Sequence, residues 1–374
     1  MAAAMDSNEA LCKVALSMVP GVTASVVRAM EEAGVSLGEF FRLPMKELSA
    51  RLGATSRFES LDREEALFRA RRELEFTERH HITPLFLTDD GYPRLLAETP
   101  DAPVVIYRLG DLDLNGQHVI NLVGTRRCTN YGIDFCGRFV KELGEYFPDL
   151  TVVSGLAYGI DGAAHRAALD NGLSTVAVLA HGLDTIYPAA HRQLAREIVR
   201  SGGALISEYP SGTTPFPARF LERNRIVAGM SEVTVVVESE VKGGAMSTAN
   251  LAFSYMREVM AVPGRVTDRM SAGTNHLIRR EKARIVATAA DLIETAGWRV
   301  FDTRLKPEQR NLFPELEGEA AKIYEALRYN AEPMSVDALH AATRIPLPAL
   351  MSVLTELEFD GVVSRLPGSR YALA

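Results

Sequence analysis

The sequence predicts an α/β fold, a doubly wound and mostly parallel sheet with a small helical section on either side. Two observations carry that expectation. From residue 82 to 297, short apolar, β-branched runs alternate with helical stretches: HVINLV, LTVVS, TVAVLA, ALIS, VTVVVE and EVMAVP. They lack polar alternation, as parallel strands covered by helices on both faces must. Several end on glycines, at Gly124, Gly155, Gly182 and Gly243-Gly244. Open α/β sheets bind ligands outside the carboxyl ends of their strands, where these glycines fall.

Residues 5–80 read as helical. LCKVALSMV ends at Pro20-Gly21, ASVVRAMEEA stops at Gly34, and a helix around 60–79 carries Glu65/Arg69 and Glu75/Arg79 at i,i+4, a pattern of a solvated face. The α/β section spans 81–298. Residues 299–318 have no clear period and read as a linker, and 319–374 form a small helical unit ending in a hairpin, VVSRLPGSRYAL.

The 374 residues suffice for two or three domains, and 47% hydrophobic with 24% charged residues is ordinary globular composition. No apolar run approaches the ~18 residues that span a bilayer, so no membrane association is expected. The N-terminus lacks a basic segment, and Asp6 and Glu9 interrupt any signal-peptide core. Cys12, Cys128 and Cys136 are odd in number and form no CxxC pair, which points to reduced thiols and a cytoplasmic location. The net charge of -7 excludes a binder that uses its whole surface for nucleic acid. A local basic groove survives, because salt limits each charge's reach to about 10 Å.

Four segments carry candidate chemistry. In VGTRR, Gly124 permits close backbone approach, Thr125 offers a hydroxyl, and Arg126 and Arg127 can fork onto phosphate oxygens. In SGLAYGIDGAAHRAAL, Gly155, Gly159 and Gly162 open a helix, but the spacing is not GxGxxG and no acidic residue follows for a ribose. Asp161 and His165 share a helical face there, and read as a capping aspartate and a packed histidine rather than an acid/base pair. In PFPARFLERNRIVAG, Arg219, Arg223 and Arg225 face only Glu222, with Phe220 among them: guanidinium groups for phosphates and a ring for a base, the composition of single-strand binding. In VKGGAMSTANLA, Lys242, Gly243, Gly244 and Ser247 stand at a helix start that presents backbone N–H groups to an anion, though not with Walker A spacing. No HExxH, GxSxG or Cys/His cluster is present, so no catalytic residue, metal site or cofactor is expected.

Together the segments VGTRR, VVSGLAYGIDGAAHRAAL, AVLAHGLDTIYP, LISEYPSGTTP, RFLERNRIVAGMS, VVVESEVKGGAMSTANLA and AVPGRV…SAGTNHLI resemble the DNA-processing protein DprA/Smf family, strongly over about residues 80–295. The resemblance implies an extended Rossmann-like domain that binds single-stranded DNA, forms a homodimer and loads RecA recombinase during natural transformation, without catalysis. It assigns phosphate to Arg126 and base to Phe220, with Arg223, Asn224 and Arg225 shaping the same pocket. Thr125 stands where the family commonly has serine. Pro217 stands where many members have lysine, leaving Arg219 as its candidate replacement. LSMVPGVTASVVRAM resembles a helix-hairpin-helix (SAM-like) unit, with Thr23 replacing the second glycine. The C-terminal unit resembles a winged helix. In its would-be recognition helix, Leu350, Val353, Leu354 and Leu357 must face the core, leaving Ser352, Thr355, Glu356 and Glu358 outside with no Lys or Arg. That face repels DNA, so a protein contact is expected there, with only Arg365 and Arg370 placed to touch a backbone. Two other readings compete: a LOG-like nucleotide-binding hydrolase, suggested by the GGAMSTANLA loop but lacking its carboxylate, and a winged-helix regulator, disfavoured by the acidic helix face.

Overall fold

The computed structural model describes residues 2–53, 62–300, 316, 318–330, 333–359, 362–366 and 370–373. It contains two compact units, Met1–Phe301 and Asp302–Ala374. The expected linker therefore lies almost wholly outside the described residues.

Each of the six apolar runs becomes a strand of one sheet. In chain order the strands are β1 (Ile82–Phe86), β2 (Val105–Leu109), β3 (Val119–Val123), β4 (Thr151–Ser154), β5 (Ser174–Leu179), β6 (Ala204–Ser207), β7 (Val233–Val236), β8 (Glu258–Ala261) and β9 (Arg284–Ile285). Their spatial order is β1-β2-β6-β5-β4-β3-β7-β8-β9. All neighbours from β6 to β9 run parallel, and β1 and β2 add an antiparallel edge. Sequence reading missed this edge pair. β1 carries Pro84, which an edge strand tolerates because one side of its ladder is unpaired.

Alternate residues of β3 serve opposite faces. Ile120 and Leu122 pack with Phe135, Phe139 and Leu143 of helix Asn130–Tyr146. Val119 and Val123 join the core on the other side, which includes Ile226 and Val227 of helix Pro217–Gly229. From β3 the chain winds outward through β4, β5 and β6, then returns to β7 on β3's other flank and continues to β8 and β9. This reversal parts the loops after β3 and β7, and opens a crevice at the strands' carboxyl ends.

The N-terminal section folds into helices Ala2–Ser17, Ala24–Glu32, Leu37–Arg42, Met45–Leu52 and Arg63–Arg79. Leu16, Phe40 and Leu48 belong to the same core as Val105 and Ile106 of β2, so packing runs continuously across residue 80. Helix Arg63–Arg79 keeps the expected solvated face, with Glu65, Arg69, Glu75 and Arg79 exposed, but two of its details differ. Among the described residues the Glu65/Arg69 and Glu75/Arg79 pairs are not formed. Glu73 is only 5% exposed, because the loop after β6 covers it: the Ser211 amide donates to both carboxylate oxygens at 3.0 Å and its hydroxyl to one at 2.6 Å. Glu73→Ala leaves the Ser211 donors without that acceptor, and is expected to cost about 2–3 kcal/mol in urea unfolding, the scale of hydrogen bonds to a charged group. An unchanged midpoint would show that this loop is held elsewhere.

The second unit contains helices Gly318–Tyr329, Val336–Thr343 and Leu347–Phe359 with strands β10 (Met334–Ser335), β11 (Val363–Leu366) and β12 (Arg370–Leu373), ordered β10-β12-β11. Ser335 caps its helix by accepting from the Ala338 amide at 3.2 Å. Leu350, Leu354 and Leu357 are buried with Ile323, Leu339 and Tyr371, and Val353 packs at the margin. Ser352, Thr355, Glu356 and Glu358 are exposed, as the helical phase requires. No helix among the described residues is long and apolar enough to cross a membrane.

Candidate functional site

The turn after β3 is clamped from both sides. The Thr125 amide donates to the Glu238 carbonyl at 2.7 Å, and the Thr125 carbonyl accepts from the Ile160 amide at 3.3 Å. Gly159 makes this approach possible: its φ is +77°, and an added Cβ would lie 2.2 Å from the Thr125 oxygen. The clamp fixes the backbone while Arg126 and Arg127 remain exposed.

Opposite them stands helix Pro217–Gly229, whose Phe220, Arg223 and Asn224 share a face at i, i+3 and i+4. The Arg126 guanidinium carbon lies 5.3 Å from the centre of the Phe220 ring, within cation–π range. The Tyr187 ring meets Phe220 at 5.6 Å. A cleft of about 390 Å³ opens here, lined by Gly124, Thr125, Arg126, Arg127, Gly155, Phe220, Arg223, Asn224, Lys242, Gly243 and Gly244. It lies at the crevice between β3 and β7.

Arg223 is part of this wall but is not free to meet a ligand. It is 4% exposed and donates to the Gly155 carbonyl at 2.8 Å and to the Val178 carbonyl. Gly155 is required there, since an added Cβ would lie 2.4 Å from the guanidinium. Burial pulls Arg223 down from its ordinary value, and Asp161 opposes that shift. Asp161 itself does not cap its helix, contrary to the sequence expectation. It accepts from the Ala157 amide at 3.3 Å and lines the cleft, where burial pushes its carboxyl up against the pull of Arg223.

Three expected site residues fall outside the cleft. Arg225 pairs with Glu208 and donates to the Asp101 carbonyl at 2.6 Å. Five residues beyond Phe220, it sits about 140° round the helix. Arg219 donates to the Thr214 carbonyl and lies over the Tyr209 ring at 5.5 Å, outside the cleft lining. Ser247 lies about 200° round its helix from Ala245, and Ala245 and Thr248 take the cleft side instead. Glu240 also lines the cleft but is held by Arg269 at 3.1 Å.

His165 is the packed histidine the sequence suggested. It is 0% exposed, its Nδ1 lies 2.7 Å from the Thr175 hydroxyl, and burial pulls it down to about 3, so it stays neutral at physiological pH. Sequence reasoning missed Tyr187, held beside Phe220 where its amide donates to His181 Nε2 at 3.3 Å. Its signal was an aromatic beside the proline that ends HGLDTIYP.

Fold and cleft define a doubly wound α/β protein with a basic, glycine-walled crevice at its switch point. The family profile described as DNA recombination-mediator protein A matches residues 83–297, and that of the DprA winged helix domain matches 307–369. Protein Smf of Escherichia coli is 34% identical over 291 residues, covering 77% of this chain and 76% of that one. DNA processing protein DprA of Streptococcus pneumoniae is 38% identical over 207 residues, 55% of this chain and 72% of that one. The X-ray structure of DprA from Streptococcus pneumoniae superposes with a TM-score of 0.63 at 32% identity, covering 76% of this chain and 95% of that one. A Helicobacter pylori DprA structure, titled for its single-stranded DNA binding mode, superposes with a TM-score of 0.51 at 30% identity over 57% of this chain and 94% of that one. The chain belongs to the DNA recombination-mediator protein A family, the DprA/Smf proteins.

Proposed function

We propose that the cleft binds single-stranded DNA without catalysis, and that the protein shields the strand in the cytoplasm and loads RecA onto it during transformation. The observation that carries the DNA reading is the Arg126 guanidinium set 5.3 Å from the Phe220 ring at the mouth of a glycine-walled crevice. A phosphate takes the outer edge of the guanidinium, and the neighbouring base takes the ring. A duplex keeps its bases stacked and cannot supply that base. The solved Helicobacter pylori relative, described for its single-stranded DNA binding mode, supports single-stranded DNA as the ligand class.

Arg126, Arg127 and Lys242 are the exposed cations of the cleft. Neutralising about three phosphates of a single strand gives a slope of about -2 in log K against log salt. Fluorescence anisotropy with oligo-dT is expected to return that slope and weaker binding of a duplex of equal length. A salt-independent affinity, or equal affinity for duplex, would sink the reading.

A homodimer through the Rossmann-like domain around residues 274–295 belongs to the same proposal. Ile285 on edge strand β9 is 53% exposed there, and an apolar side chain on an unpaired edge suits a second copy. The exposed Glu356 and Glu358 suit a protein partner of the winged-helix unit better than DNA. For the LOG-like hydrolase, the cleft does hold carboxylates, Asp161 and Glu240. Glu240 is paired with Arg269, and Asp161 accepts from the Ala157 amide at 3.3 Å, so both have structural partners in this chain. Base released from nucleoside monophosphates would restore that alternative.

A further inference from the structure

We propose that a second groove, on the far side of Arg126, takes the next nucleotides of the same strand by stacking a base on Tyr158. The inference rests on the reading of the cleft as a single-strand site. Arg126 and Arg127 line both spaces, so they form a ridge between the Phe220 cleft and a groove of about 710 Å³. A strand whose phosphate sits on that ridge has one neighbour in the cleft and the other in the groove.

The groove is built for an unpaired nucleotide. Tyr158 is 47% exposed, and its ring stands edge-on to His191 at 5.2 Å, which braces it without covering it. His191 is fixed in turn by donating from Nδ1 to the Leu156 carbonyl at 2.9 Å. Gly162 keeps the floor open, since an added Cβ would press on the His191 ring at 3.1 Å. No carboxylate lines the groove among the described residues. Arg166, on its wall, is partnered by Glu197 at 2.6 Å, so the free positive charge is concentrated on the ridge. Phosphate held on the ridge with a ring on either side is the alternation a flexible single strand follows.

The test uses the full chain, fluorescein-labelled oligo-dT of about 4 and about 16 nucleotides, bracketing one to several base sites, and anisotropy at fixed salt. Tyr158→Ala is expected to weaken the longer oligonucleotide by about 5- to 150-fold, one lost stack, while the shorter one binds as to the parent. Tyr158→Phe keeps the ring and is expected to bind both lengths like the parent, which separates stacking from any fault in folding. Phe220→Ala weakens both lengths. If Tyr158→Ala binds both lengths like the parent, or weakens both equally, the groove is overturned and the cleft stands. If the parent binds neither length, the groove falls together with the cleft.

Discussion

Arg126→Ala is expected to lower affinity for oligo-dT by about 1.5–3 kcal/mol, roughly 10- to 150-fold, while the unfolding midpoint moves little. The size is that of a charge-assisted hydrogen bond to phosphate. The guanidinium over the Phe220 ring is already in place in the free protein, so its loss, about 0.5–1 kcal/mol at an exposed site, falls on folding and not on affinity. Folding is otherwise spared because Arg126 is exposed and the turn beneath it is held by backbone bonds from Thr125, which the substitution leaves intact. Arg126→Lys keeps the charge but loses the planar fork, so it falls between the two. Phe220→Ala costs about 1–3 kcal/mol on its own. Since ring and guanidinium face each other at 5.3 Å, the double substitution loses less than the sum. Arg225→Ala, its partner Glu208 lying away from the cleft, changes affinity little. Anisotropy titrations of the five variants check this. Parent-like binding by both Arg126→Ala and Phe220→Ala would place the DNA elsewhere.

How far the sequence reached depended on how local each feature is. The central strands were legible because burial on both faces removes polar alternation, and HVINLV or VTVVVE admit few other roles. β1 was not, because ITPLF contains a proline and half-exposed positions, and only its place at the sheet edge makes it a strand. The glycine turns, Arg126 and Phe220 were legible because each is set by its own strand-to-helix junction or helix face. Sorting the arginines of RFLERNR was not possible from composition. Arg219, Arg223 and Arg225 look alike in sequence, and their fates are decided by helix phase and by acceptors from distant segments: the Thr214 carbonyl, the Gly155 and Val178 carbonyls, and Glu208. Tyr158 and Tyr187 escaped notice for the same reason, since loops from different strands bring them to Arg126 and Phe220.

Arg223→Met is expected to destabilise the fold by about 3–5 kcal/mol, the scale of removing one partner from a buried charge pair. The guanidinium is 4% exposed, and its loss removes the donor it gives to the Gly155 and Val178 carbonyls and leaves Asp161 buried without that cation's pull. Burial already holds the Asp161 carboxyl above its ordinary value. Between the unfolded and folded values the native state binds more protons than the unfolded state, so stability falls as pH rises through that window. Without Arg223 the opposing pull disappears, the folded value rises further and the window widens upward. The deficit of Arg223→Met relative to the parent should therefore shrink as pH is lowered toward the ordinary carboxylate range. Adding Asp161→Asn should recover part of the loss at neutral pH, because a neutral amide needs no counter-ion. Urea unfolding of the parent, the single variants and the double variant across several pH values measures each difference. A deficit under about 1 kcal/mol would be no larger than an average point substitution, and a deficit independent of pH and of residue 161 would mean that Arg223 supports the cleft through its carbonyl contacts alone.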